Sequence, residues 1–317
     1  MTSHVWRFTI NNKNFYTLNM SSTAIGIDLG GTRIKAIAID ANGNRLYQRY
    51  HPTNDGDDGM VWKSAIAAMA LDIKNKISNR DAVIGISAPG LPNTDNSAIA
   101  FMPGRLQGLE DFDWTEFLNA KTYVLNDAVS AMMAEARFGA AKNKKNVVML
   151  TLGTGVGGAI MIDGKPYQGT FNKAGHIGHM VIDDEGDCDV TGMPGSLEEC
   201  IGNCTIEKRS KGKFSSTHDM LIACKNGDAF ARELWLKSVK QLAIGIASIT
   251  NILSPEVVVL GGGITEANDD LFDPLNEYMA QYEWRAGGNK TTIVKANYGD
   301  LAGAAGVASF AMEMQNS

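Results

Sequence analysis

The chain has 317 residues, room for two domains rather than one core. With 44% hydrophobic and 20% charged residues and a net charge of −6, it reads as an ordinary globular protein. That charge, with no Lys/Arg run beyond Lys142–Lys145, argues against nucleic acid, and no apolar stretch reaches the ~18–20 residues of a membrane span. Four cysteines between Cys188 and Cys224 form no C-x-x-C pair, which points to a reduced, cytoplasmic protein.

Residues 1–22 are read as an extension. Trp6–Ile10 looks strand-like, no signal core is present, and Met20 is the preferred natural start; an added edge strand is the alternative. Ala24–Ile27 is the first clear strand, followed by Asp28-Leu29-Gly30-Gly31-Thr32. Ile34–Asp40 continues as strand, Asn42-Gly43 signals a type I′ turn, and Arg45–Tyr50 returns. Val61, Ala65, Met69, Ile73 and Ile77 recur every four residues and predict a helix before the strand Val83–Ser87. Ala88-Pro89-Gly90 closes that strand, and the loop-rich residues 91–113 are placed along a cleft. Tyr123–Leu125 is a short strand leading through Asn126-Asp127 into a helix over Ala128–Phe138. The Gly139–Asn146 stretch is the predicted domain boundary.

The second half repeats the pattern. Val147–Leu152 runs into Gly153-Thr154-Gly155-Val156-Gly157-Gly158, then strand again to Ile162 and a turn at Asp163-Gly164. The glycines match G-x-G-x-x-G, but a dinucleotide fingerprint needs a helix next, and no Walker P-loop is present. Residues 170–215 read as irregular and polar. Asp228–Leu253 is a long helix stopped before Pro255, Glu256–Leu260 a buried strand ending in Gly261-Gly262-Gly263, and Asp269–Glu283 and Ala302–Met312 further helices. Three glycine turns after strands suit a nucleotide, because backbone N–H groups approach an anion where no Cβ intervenes. Hairpin geometry alone is the competing reading. The duplicated strand-hairpin-helix unit predicts two α/β domains around a cleft.

Asp28–Thr32, Asn126-Asp127, Gly153–Gly158, Ala174-Gly175-His176-Ile177-Gly178-His179 and Leu260–Gly263 together resemble the signature blocks of ROK sugar kinases. The resemblance runs from about residue 23 to the C-terminus and implies two actin-like ATPase (ribonuclease H-like) domains around a central cleft. Residues 23–140 would form the first and 141–301 the second, with the helix at about 302–317 returning to the first. It implies an ATP-dependent kinase acting on a sugar hydroxyl, a terminal hydroxymethyl by default, in a homodimer or homotetramer. Gly30, Gly31, Thr32, Gly153, Thr154 and Gly155 would clamp phosphates, and Gly261, Gly262 and Gly263 would seat adenosine. Asp28 would organise Mg²⁺ through water. Asp127 would be the general base, with Asn126, Gly90, Arg105, His176, His179 and Glu198 at the sugar. Asp127 reads alternatively as a helix N-cap, Asp28 as a turn former, and Lys35 as structural or solvated.

The departures from the family pattern are specific. His176 stands where the family has Glu, while His179 matches. The three thiolates that bind zinc with that His fall at Asp189, Thr191 and Ser196, so no structural zinc is expected; His179 with Cys188, Cys200 and Cys204 is the alternative metal set. Gly104, Arg105 and Leu109 stand where the family offers Asn and an aromatic. A donor-rich pocket predicts a sugar other than plain glucose. A polyphosphate donor stays open. A catalytically idle sugar binder and a sugar-responsive regulator are the other functions considered; the 22 residues before the first block are not helical in pattern, which argues against the helix-turn-helix of a regulator.

Overall fold

The computed structural model describes residues 23–56 and 59–316; Trp6–Ile10 and the start at Met20 lie outside them. In chain order the first half runs β1 (Thr23–Leu29), β2 (Arg33–Asp40), β3 (Arg45–Pro52), α1 (Met60–Lys76), β4 (Val83–Ala88), β5 (Leu91–Pro92), β6 (Ile99–Phe101), α2 (Trp114–Leu118), β7 (Thr122–Asn126) and α3 (Asp127–Phe138). The second runs β8 (Val147–Leu152), β9 (Val156–Ile162), β10 (Lys165–Pro166), α4 (Leu197–Ile201), α5 (Ile206–Arg209), α6 (Thr217–Lys225) and α7 (Ala229–Leu253). It closes with β11 (Val257–Gly261), α8 (Asp269–Tyr282), β12 (Thr292–Lys295) and α9 (Ala302–Gln315).

Two sheets of the same plan result. The first has the order β3-β2-β1-β4-β7 and the second β10-β9-β8-β11-β12. In each, three strands make an antiparallel meander and the next two join in parallel. The hairpin forms where expected, but its turn is not type I′: Gly43 N donates to Asp40 O at 3.0 Å, so Ala41-Asn42 make the turn, and of the Asn42-Gly43 pair only Gly43, at φ of +81°, is left-handed. The segment read as irregular contains the short helices α4 and α5, each too short to show a helical period.

Helices α3 and α9 fill the space between the sheets. Met132 and Met133 of α3 and Val307 and Phe310 of α9 share one core with Val83 of the first sheet and Met149 and Val259 of the second. A Cβ on Gly306 of α9 would collide with the Ser130 carbonyl, so that glycine sets how closely the two helices approach. The outer face of the first sheet is covered by α1 and α2, with Trp62 and Trp114 buried there. On the far side of the second sheet lies α7, capped by Asp228 at Ala231 N. Shortening its fully buried Leu242 to Ala would cost ~2–5 kcal/mol.

The chain crosses between the sheets at 139–146 and again at 296–301. Glu135, fully buried in the last turn of α3, ties both crossings. One carboxylate oxygen accepts from Ala140 N at 2.7 Å, the other from Asn297 N at 3.0 Å and Tyr298 N at 2.8 Å. Among the described residues no helix is long and apolar enough to cross a membrane.

Candidate active site

The parallel strands of both sheets point their carboxyl ends into one cleft. The β1–β2 hairpin places Asp28 directly across from Lys35. Lys35 Nζ lies 3.5 Å from Asp28 Oδ2 and 2.9 Å from Asp300 Oδ1, a pairing that agrees with the structural rather than the solvated reading of this lysine. Ser87, at the end of β4, donates to Asp28 Oδ1 at 2.8 Å. Burial raises the Asp28 pKa, and Lys35 and Ser87 oppose that rise. The turn itself is held from behind: Thr53 N donates to Thr32 O at 2.9 Å and Thr53 Oγ1 to Gly30 O. At Gly31 a Cβ would stand 2.6 Å from Arg105 Nη1, so the guanidinium rests on the bare face of the turn.

The other two turns meet in the second lobe. Gly153 O accepts from Asn203 N at 3.0 Å and Thr154 O from Cys204 N at 2.8 Å. Gly262, with φ of +90°, passes beneath the Leu152 carbonyl where a side chain would collide. Gly261 is buried at the end of β11. A cavity of about 620 Å³ opens between Gly153, Thr154 and Gly263 on one side and Thr217, His218 and Lys225 of α6 on the other. That volume suits a small-molecule site. Thr217, His218 and Lys225 were not anticipated. A period of three or four over Thr217–Lys225, read against the Ser216 cap, is the signal that finds that wall.

Asn126 is the N-cap of α3. Its Oδ1 accepts from Ala128 N at 2.9 Å and Val129 N at 3.3 Å, and its Nδ2 donates to Gly90 O at 3.1 Å. Both ends of its amide are thus engaged with backbone. Gly90 has φ of +101°, and a Cβ there would press on the Phe101 carbonyl. Capping by Asn126 frees Asp127, which occupies the first helical position with its carboxylate open to solvent at the cleft. The Asp127 pKa is pushed up to about 6, first by the surrounding protein and then by the Asp28 charge, against the Ala128 N–H and Arg105. Asp28, Asp127, Arg105, Lys35 and the first glycine turn therefore form one electrostatic group. A carboxylate poised near neutrality beside cations suits proton abstraction.

The remaining candidates line the second lobe. Glu198 Oε2 accepts from Val156 N at 2.9 Å and lies against Gly155, coupling the first turn of α4 to the second glycine turn. His176 and His179 stack with rings 7° apart and centroids 6.4 Å apart, and burial followed by His179 lowers the His176 pKa. Leu109, by contrast, faces away into the core of the first lobe.

The cysteines do not fit a zinc ion. Cys200 is buried with Sγ toward Gly195 O at 3.9 Å, and burial raises its thiol to about 11. Cys204, four residues on, lies outside the helix that carries Cys200, because α4 ends at Ile201 and Gly202 turns the chain. His179 Nδ1 bonds Asp189 Oδ2 at 2.9 Å. Among the described residues no three His, Cys, Asp or Glu side chains assemble as a metal-holding group.

The family model described as ROK matches residues 24–314. A glucokinase of Halalkalibacterium halodurans is 30% identical over 319 residues, covering 92% of this chain and 96% of that protein. The N-acetylmannosamine kinase of Escherichia coli O127:H6 is 29% identical over 265 residues, covering 82% of this chain and 89% of that relative. Among solved structures, a ROK hexokinase from Thermus thermophilus superposes with a TM-score of 0.84 at 28% identity, covering 93% of this chain and 100% of that one.

Proposed function

The chain belongs to the ROK family, and from that premise we propose that it transfers the terminal phosphoryl group of ATP to a hydroxyl of a sugar. The observation that carries this reading is Asp127, solvent-reachable at the cleft end of α3, with a pKa of about 6. Its carboxylate takes the proton of the attacking hydroxyl as the sugar oxygen bonds to phosphorus and the bond to the ADP oxygen breaks. Phosphoryl transfer otherwise asks chiefly for positioning and charge stabilisation. The turns at Gly30–Thr32 and Gly153–Gly155 cradle the phosphates from opposite lobes, and the cavity beside Gly263 takes the adenosine. Arg105, resting on Gly31, would offset the negative charge that builds up during transfer. The carboxylate of Asp28 suits Mg²⁺ held through water, which when bound would neutralise phosphate charge.

His176 and Arg105 make the sugar side richer in donors than the family pattern, which favours a modified or acidic sugar over plain glucose. The relatives named above are kinases of glucose and of N-acetylmannosamine. The test is ADP release with MgATP over a broad sugar panel, with polyphosphate as a parallel donor. Sugar-dependent turnover is the expected result, best on a sugar other than glucose. No turnover from folded protein that binds ATP would sink the kinase reading, and glucose as the best substrate would sink the altered specificity.

A further inference from the structure

Asp189 holds a carboxylate that the chemistry above does not use. Its side chain is wholly withdrawn from solvent, yet it is surrounded by donors. Oδ1 accepts from Thr191 Oγ1 at 2.7 Å, Thr191 N at 2.8 Å and Met193 N at 3.1 Å. Oδ2 pairs with His179 Nδ1 at 2.9 Å. Burial works against the charge, but hydrogen bonds from Thr191, His179 and Ser196 outweigh it and hold the carboxyl well below the usual carboxylate range.

The loop around this carboxylate is folded back on itself. Asp189 N donates to Met193 O at 2.9 Å and Gly192 N to Asp189 O at 3.0 Å, while Leu197 N reaches Met180 O at 2.9 Å. The segment leaving His179 is thereby tied to the segment entering α4, where Ser196 is the cap and Glu198 the second residue. Positions 179, 189, 191 and 196, which the family resemblance assigns to a zinc ion and its ligands, all converge on one carboxylate. An ionised carboxylate only accepts hydrogen bonds, so the proton of His179 sits on Nδ1. In that tautomer Nε2 is the ring nitrogen without a proton and can accept.

We propose that Asp189 is a positioning residue that replaces a metal with hydrogen bonds, stapling the His179 and Glu198 segments together and fixing His179 with its proton on Nδ1. The consequence for sugar binding, that Nε2 accepts from a sugar hydroxyl, rests on the kinase reading; the staple and the tautomer do not.

The test uses the full chain in three arms. Metal content after purification with added zinc should show no stoichiometric zinc, and chelation followed by return of Mg²⁺ should leave glucose and N-acetylmannosamine binding unchanged. One tightly held zinc per chain would overturn the proposal. Nitrogen-15 NMR of the histidines should show His179 protonated at Nδ1 in the wild type. In Asp189→Asn, whose amide donates instead, the ring should switch to the Nε2–H form. An Nε2–H ring in the wild type would overturn the proposal. For whichever sugar turns over, Asp189→Asn should raise its KM about 10–100-fold, as expected for a mispaired buried donor, with the KM for ATP within about twofold. Equal changes in both KM values would mean a general structural role and overturn the positioning claim. If no sugar turns over, the kinase reading fails, while the metal and NMR arms still decide the staple.

Discussion

The β1–β2 and β8–β9 hairpins occupy equivalent places in the two sheets, and each turns on glycines at the cleft. Their cross-strand partners differ. In the first, Asp28 faces Lys35, with Arg105 resting on the turn. In the second, Thr151 faces Gly157, and the polar neighbour of the turn is Glu198, bonded to Val156 N. One fold unit thus supplies a turn flanked by Asp28, Lys35 and Arg105 beside Asp127, and a turn flanked by Glu198 beside the cavity lined by Gly153 and Thr154. Backbone topology is shared between the lobes, and chemistry is assigned by a few side chains set across from one another.

The largest effect should come from the side of the first turn. Asp127→Asn should lower kcat by about 10²–10⁴-fold, the range for losing a general base, while MgATP binding persists. The same variant should be more thermostable than wild type above pH 6. Asp127 has a folded pKa above its unfolded value, so its ionisation costs the folded state fully above about pH 6, and that cost vanishes toward pH 4. Melting curves at both pH values check the sign.

Glu135→Ala tests what the two lobes share. Three backbone N–H groups lose their acceptor, and at ~1–3 kcal/mol for each unsatisfied buried group the loss should exceed ~3 kcal/mol in chemical denaturation. Next in size, Lys35→Met should raise the KM for ATP roughly tenfold, as for removal of a hydrogen bond to a charged group. Thr151→Val in the second hairpin should change it no more than about twofold. Equal effects from the two would erase the contrast between the hairpins. The smallest change belongs to the surface pair Arg49–Asp72, whose disruption should shift stability by less than ~1 kcal/mol.

Much of the fold is legible in the chain because each unit announces itself locally. Asn42-Gly43 names its hairpin, and Ser254-Pro255 ends α7 where the helix stops. Asn126-Asp127 is legible as a pair, but only the structure divides their labour, with Asn126 capping α3 and Asp127, bonded to Ala128 N, exposed at the cleft. Lys35 needed the register: counting back through the turn from Asp28 puts it opposite, a relation that strand pattern alone does not reveal. Glu135 carries a faint signal, an acid in a helix's last turn, where the helix dipole disfavours it. For Asp189 the zinc pattern groups positions 179, 189, 191 and 196, but that the carboxylate gathers the donors shows only when the loop closes.

The acid limb of kcat/KM, measured for the best sugar in wild type and in the residual activity of Asp127→Asn, tests the role of Asp127 most directly. The wild-type value should fall about tenfold per pH unit below roughly pH 6, as for one essential ionised base, and the limb should be absent in Asp127→Asn. A limb near pH 6 that survives in Asp127→Asn, or a wild-type profile flat through that range, would contradict the assignment of Asp127 as the base.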